Sequence, residues 1–222
     1  MDKTDALVFS LINHTRLRSK MLDWFMFSLT QLGEGWKVLL LMTGVYYGSG
    51  SGGSWYVQSL VTVLAAGVIC QIIKKYFPRS RPVSVLKNVN VLGRRLTSGS
   101  FPSGHTATAF SLAVVFSSQW LSMTPLFLAM ASLIGLTRVY VGAHFPLDVF
   151  CGAIIGLSIS SMTMTFLHVA PSYNIQHPMA LIFGATFLVA LVLPLLRGYT
   201  FAKMSTRLKE KIVRVQTRLQ RR

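Results

Sequence analysis

Three separated stretches of this 222-residue chain hold the side chains needed to grip and attack a phosphate ester. Lys74 is followed by Arg81-Pro82. Pro102-Ser103-Gly104-His105 leads straight into an apolar run. Thr137-Arg138 is followed by His144 and Asp148. Arginine suits bidentate contact with a phosphate, and lysine supplies a point charge. At a helix start, the Pro-Ser-Gly-His segment would aim backbone N–H groups at an anion, aided by the helix dipole. Gly104 permits close approach, Ser103 adds a hydroxyl, and His105 is placed at the phosphate. His144 and Asp148 are four residues apart and share a face if the chain is helical there. A carboxylate on one imidazole nitrogen orients the ring and leaves the other nitrogen free to attack. Each residue alone has a plainer reading: Lys74 or Arg81 as an interfacial anchor, Asp148 as a helix N-terminal charge, a lone histidine as structural. Asp148 is the only acid between Glu34 and Glu210, which argues against a paired-carboxylate mechanism and a carboxylate-rich metal cage.

The elements that must position these groups are membrane helices. Hydrophobic residues make up 52% of the chain and charged residues 13%, where a soluble domain carries roughly a quarter charged residues. The deficit falls in long uncharged runs. Spans are expected at 22–48, 55–74, 105–121, 124–141, 146–168 and 178–196. The first has a weak point at Gly33-Glu34-Gly35, where a kink or break is expected. Open strands cannot cross lipid, so the expected fold is all-α: a polytopic membrane helix bundle of about six transmembrane helices plus amphipathic terminal helices. Residues 75–104 form the one long polar loop. If the spans alternate, the second, fourth and sixth end where the third and fifth begin. That brings Lys74, Arg81, His105, Arg138, His144 and Asp148 to one membrane surface.

The formal charge of +16 does not point to nucleic acid, because the apolar runs are too long for a soluble binder. Anionic lipid and phosphate are the expected partners. Gly48-Ser49-Gly50-Ser51-Gly52-Gly53 lacks the Gly-Lys-Ser/Thr ending of a nucleotide-binding loop. Cys70 and Cys151 lie inside apolar runs and lack metal-ligand spacing. No cleavable signal peptide is visible in the first twenty residues, which read as a short interfacial helix. Residues 1–198 are expected to form the membrane-embedded domain and 199–222 a basic amphipathic helix. In the latter, Phe201, Met204, Leu208, Ile212, Val215 and Leu219 recur at helical spacing, and only Glu210 opposes the basic residues. That helix reads as lying on anionic headgroups, with self-association as the rival.

The three motifs resemble those of the type 2 phosphatidic acid phosphatase superfamily: Lys-x6-Arg-Pro, Pro-Ser-Gly-His and Ser-Arg-x5-His-x3-Asp. They occur here as Lys74-x6-Arg81-Pro82, Pro102-Ser103-Gly104-His105 and Thr137-Arg138-x5-His144-x3-Asp148, with Thr137 in place of serine. The resemblance implies a metal-independent lipid phosphate or diphosphate phosphatase with no cofactor. His144 would be the nucleophile that becomes a phosphohistidine, oriented by Asp148. His105 would protonate the leaving oxygen and then help activate water. Lys74, Arg81 and Arg138 would hold the phosphate, with Ser103 and Gly104 donating hydrogen bonds. Undecaprenyl diphosphate or a phosphatidyl phosphate (phosphatidylglycerol phosphate, phosphatidate) would be the substrate, and lipid A is the alternative. Lys75, Arg79, Arg94 and Arg95 would either suit a diphosphate or form a solvated basic loop.

A rival of another class is a non-catalytic protein that binds phospholipid headgroups, although binding alone needs neither His105 nor the His144–Asp148 pair. Family habit in bacteria places such a site on the outer side of the cytoplasmic membrane. The lysines and arginines concentrate on the site's own face, which the positive-inside rule would put in the cytoplasm. An outward site is the expectation that carries forward.

Overall fold

A computed structural model describes residues 3–49 and 54–169. The expected sixth span at 178–196, the tail at 199–222 and the domain boundary at 198 lie outside the described residues. Every described residue is part of one unit, Met1–Gln176. Among these residues, all regular structure is helical: α1 (Lys3–Asn13), α2 (Lys20–Thr30), α3 (Gly35–Ser49), α4 (Ser54–Tyr76), α5 (Pro82–Val85), α6 (Gly104–Gln119), α7 (Thr124–Tyr140) and α8 (Pro146–Val169), with 3-10 turns at Gln31–Gly33 and Leu121–Met123.

The helix at the centre is α6, which packs against α4, α7 and α8. Its sequence explains this. Ala107, Ala109 and Ala113 are buried alongside Thr106, Thr108 and Ser111, so neighbouring backbones come close. On the facing helix, Gly152 and Gly156 are one turn apart. A Cβ at Gly152 would lie 2.5 Å from the Ser103 carbonyl oxygen, and one at Gly156 would press on the Ala107 carbonyl oxygen. The two glycines thus set the α6–α8 spacing. Apolar packing fills the rest: Val38 and Met42 of α3 meet Leu60, Val63 and Leu112, while Leu29 of α2 meets Ala109, Ala113, Ala131 and Ile134. At the end where α4 begins and α6 finishes, Trp55, Phe116 and Trp120 stack edge to face, with Tyr46 and Phe127 beside them.

Three described helices are long and apolar enough to cross a membrane: Trp55–Tyr76, Leu121–Tyr140 and Pro146–Thr165. The expected span at 22–48 is not one helix. It breaks where Gly33-Glu34-Gly35 weakens it, giving α2, an eleven-residue helix, and α3, a fifteen-residue helix. At 1.5 Å per residue, α2 rises roughly 16 Å, about half the hydrocarbon thickness. Its Met21, Trp24 and Phe25 are exposed.

The first helix does more than lie in an interface. Asp5, Phe9 and Asn13 recur every four residues and are buried on its inner face, while Leu7 and Leu11 are exposed on the outer one. Phe9 packs against Phe145 with ring centroids 5.5 Å apart, and burying such a ring contributes about 1.5–3 kcal/mol. Asn13 closes the other end. Its amide donates to the carbonyls of Asn90 and Tyr140, and its oxygen accepts from the Asn90 N–H, all at 2.9 Å.

Candidate active site

The ends of α4, α6, α7 and α8 converge as the alternating spans require. Lys74, in the last turn of α4, donates to the Gly99 carbonyl at 3.0 Å. Arg81 is buried in the loop that follows. Its Nε donates to the Ser98 carbonyl (2.8 Å), and Nη1 donates to the Ala143 carbonyl (2.7 Å) and stands 3.4 Å from His144 Nε2. Nη2 reaches Ser98 Oγ and the Gly99 carbonyl, both at 3.2 Å. Arg138, in the last turn of α7, donates to Thr30 Oγ1 at 2.5 Å, while its buried Nε has no partner among the described residues.

Ser103 is the N-cap of α6. Its buried Oγ accepts from the Thr106 hydroxyl at 2.8 Å and from the Thr106 N–H at 3.4 Å, so capping is its structural task. Gly104 opens the helix with no neighbour within 4 Å of a would-be Cβ, which leaves room for a ligand against the backbone. His105 follows in the first turn. Gly33 packs on it so closely that a Cβ there would be 2.8 Å from His105 Cδ2.

His144 and Asp148 meet, but not as neighbours on a helix face. α8 begins at Pro146, after His144. Asp148 sits in the third helical position and reaches back, its Oδ2 accepting from the Phe145 N–H at 2.9 Å, as acids at that position do in a capping box. The same oxygen is 3.6 Å from His144 Nδ1. Asp148 therefore serves both as a helix cap and as the partner of the imidazole. At that distance the pair is an electrostatic contact and not a closed hydrogen bond, and buried Nδ1 has no other partner among the described residues. The ring lies with Nδ1 toward a carboxylate and Nε2 toward an N–H donor, which favours the neutral tautomer protonated at Nδ1. Burial holds the His144 imidazole far below its ordinary proton affinity, at about 3, and the charges of Arg138, Arg81 and Lys74 act in the same direction against the Asp148 contact. Nε2 thus keeps its lone pair at neutral pH.

A cavity of about 120 Å³ opens beside this cluster and is lined by Arg81, His105 and Arg138 together with Thr30, Glu34, Arg94 and Arg95. Lys74, Ser103, Gly104, His144 and Asp148 stand outside its lining. Of the four extra cations, Arg94 and Arg95 join the cavity. Arg79 does not: it is bound to Asp148 Oδ1 at 2.6 Å and to Asp5. Lys75 is exposed on α4. Thr30, Gly33 and Asp5 were not singled out from sequence as site residues. The Gly33-Glu34-Gly35 break was the one local sign that this segment does something special.

A model of the PAP2 superfamily matches residues 55–172, more than half of the chain and all three motifs. The chain belongs to the PAP2 superfamily. It is 28% identical over 123 residues to the bacitracin transport permease protein BcrC of Bacillus licheniformis, covering 55% of this chain and 59% of that one. It is 28% identical over 174 residues to an undecaprenyl-diphosphatase of Sulfolobus acidocaldarius, covering 76% of this chain and 81% of that one. The first of these alignments thus spans less than two thirds of the relative's length. Among solved structures, LpxE of Aquifex aeolicus superposes with a TM-score of 0.67 at 32% identity, covering 74% of this chain and 96% of that one. The apolar helices and this kinship make the chain an integral membrane protein.

Proposed function

We propose that this chain is a metal-independent phosphatase of membrane lipids that works through a phosphohistidine on His144. The observation that carries the reading is the placement of His144: Nδ1 faces Asp148, Nε2 faces Arg81, and the charges of Arg138 and Lys74 act on the same ring. A binding module would need the cations but not an imidazole held neutral and aimed by a carboxylate.

Nε2 attacks phosphorus as the bond from phosphorus to the leaving oxygen breaks, and His105 gives that oxygen its proton. The phosphohistidine is then opened by water, whose proton returns to His105, releasing inorganic phosphate and free His144. Lys74, Arg81 and Arg138 bind the equatorial oxygens, where fixed donors act most strongly on developing charge. Gly104 and Ser103 present the N-terminus of α6. Undecaprenyl diphosphate or a phosphatidyl phosphate (phosphatidylglycerol phosphate, phosphatidate) fits best, and lipid A is the alternative within the family. Arg94 and Arg95 on the same cavity favour a headgroup with a second negative charge. The reading places the protein in the bacterial cytoplasmic membrane with the site facing outward and residues 199–222 on anionic lipid.

The test is phosphate release by purified protein in detergent with EDTA, offering undecaprenyl diphosphate, phosphatidylglycerol phosphate, phosphatidate and lipid A side by side. Release that survives EDTA and disappears in His144→Ala is the expected result. A folded wild type inert toward all four lipids refutes the reading.

A further inference from the structure

We infer that Arg79 is a positioning residue for the catalytic carboxylate and that the amino-terminal helix, through Asp5, holds it in place. The inference rests on the proposed role of Asp148 but concerns residues that this role leaves unexplained.

Arg79 lies within the first motif, where its charge invites assignment to the substrate phosphate. The geometry assigns it otherwise. Nη1 donates to Asp148 Oδ1 at 2.6 Å, and Nη2 donates to Asp5 Oδ2. The guanidinium carbon stands 4.6 Å from the centre of the Phe145 ring. The Arg79 carbonyl accepts from the Ser100 N–H at 2.9 Å and from its hydroxyl at 3.3 Å. Arg79 is thus fixed at its head, over its face and along its backbone; it shares with Arg81 and Arg95 the lining of a neighbouring open cavity of about 530 Å³, but its Nη1 and Nη2 are both engaged by carboxylates there.

The consequence falls on Asp148. Its Oδ1 is tied to Arg79 and its Oδ2 to the Phe145 N–H, which fixes the plane of the carboxylate and leaves Oδ2 facing His144 Nδ1. Asp5, in turn, is buried and spends both oxygens: Oδ2 on Arg79 and Oδ1 on the Leu147 N–H at 2.9 Å. So α1 reaches the start of α8 twice, once through backbone and once through Arg79. A guanidinium can bridge two carboxylates because its N–H groups form a rigid fork. An ammonium on a flexible stem cannot keep both contacts in the same geometry.

Arg79→Lys and Asp5→Asn separate positioning from simple docking of α1. Both are expected to lower kcat about ten- to hundredfold, the scale seen when a partner that orients a reactive group is lost, with KM for the lipid unchanged. The double variant is expected to be no worse than Arg79→Lys alone, because Asp5 acts through Arg79. Asn13→Ala loosens the far end of α1 without touching Arg79, and His14→Ala, which removes only the exposed contact of His14 Nε2 with the Asn88 carbonyl (2.7 Å), does so more gently. These two are expected to keep kcat within about twofold of wild type. A second readout is independent of turnover: the His144 Nδ1–H proton resonance in labelled protein in detergent, present in wild type and in His14→Ala, broadened or lost in Arg79→Lys and Asp5→Asn. A raised KM with unchanged kcat in Arg79→Lys would return that residue to the phosphate. An equal fall in kcat in Asn13→Ala or His14→Ala, or multiplicative effects in the double variant, would reduce Asp5 to a structural clamp. Wild-type phosphate release judges the proposed function. The variant ratios and the proton resonance judge this inference.

Discussion

Gly152→Ala tests whether the spacing of α6 and α8 sets the reaction geometry. The added Cβ would stand 2.5 Å from the Ser103 carbonyl oxygen, where ordinary contact begins at 3.4 Å, so about 0.9 Å of separation has to be found. Neither partner yields cheaply. Ser103 is backbone at the N-cap of α6, and its N–H donates to the Asp148 carbonyl at 2.9 Å. Separating the helices therefore moves the Ser103-Gly104-His105 cradle away from the turn that carries His144 and Asp148. A misplacement of about 1 Å costs on the order of a hundredfold in rate, or about 2.7 kcal/mol of barrier, and overpacking costs about 1–3 kcal/mol of stability. Gly156→Ala is the matched control. It meets the Ala107 carbonyl oxygen at least as closely but one turn farther from the site. Thermal unfolding in detergent should show similar losses in the two variants, and lipid phosphate hydrolysis should show the large fall in kcat for Gly152→Ala alone. Equal kcat losses in both, or full kcat in Gly152→Ala at normal stability, would refute the link between helix spacing and catalysis.

Gly33→Ala drives a Cβ to within 2.9 Å of His105 Cβ, which cannot rotate away; a kcat loss exceeding tenfold with KM little changed is expected from steady-state kinetics, and normal turnover would show that His105 tolerates displacement. His144 bears on stability as pH falls. Its folded proton affinity lies at about 3, below the ordinary 6.5. The unfolded chain therefore takes up a proton first, and the native state loses up to roughly 1.4 kcal/mol per pH unit between those values. His144→Asn should flatten the fall in unfolding temperature between pH 6.5 and pH 4, and an unchanged slope would contradict a buried neutral imidazole. Arg94→Ala with Arg95→Ala should raise KM for undecaprenyl diphosphate several-fold more than for phosphatidate; equal effects would make the pair a general lipid-surface contact.

The legible part of the site was the part written locally. Three motifs placed every proposed catalytic group, and the alternation of spans brought their ends together, because helix direction follows from counting apolar runs. The break at Gly33-Glu34-Gly35 was also readable, since two glycines in three residues weaken a helix. Three things were not legible. Thr30 on Arg138 is a contact across 108 residues, and Asp5 on Arg79 one across 74; nothing in either neighbourhood signals its partner. The i,i+4 spacing of His144 and Asp148 suggested a helix face, whereas Pro146 starts the helix too late and the contact arises from a cap. Gly152 and Gly156 were readable in principle, as small residues one turn apart in an apolar helix, but their partner, α6, was not.

Pairing of charges gives a last test of what the site is for. Arg79 takes both nearby buried acids, Asp5 and Asp148. Among the described residues, Lys74, Arg81 and Arg138 hydrogen-bond to neutral groups: the carbonyls of Ser98, Gly99 and Ala143, the hydroxyls of Ser98 and Thr30, and the His144 imidazole. Three cations are thus gathered with no carboxylate hydrogen-bonded to any of them among the described residues. Burial already lowers the proton affinity of Arg81, which shows that its charge is held at a cost. An anion of the right shape should relieve that cost. Vanadate, which takes up the five-coordinate geometry of phosphoryl transfer, should stabilise the folded protein by about 2.7 kcal/mol at a hundred times its dissociation constant. At about 2–4 °C per kcal/mol for a chain of this size, unfolding should move up by roughly 5–10 °C. The shift should shrink in Arg81→Ala and Arg138→Ala and persist in Asp5→Asn, whose lost partner was Arg79 and not the anion. Absence of any shift, or its survival in both arginine variants, would mean that the three cations are not arranged to meet a phosphate.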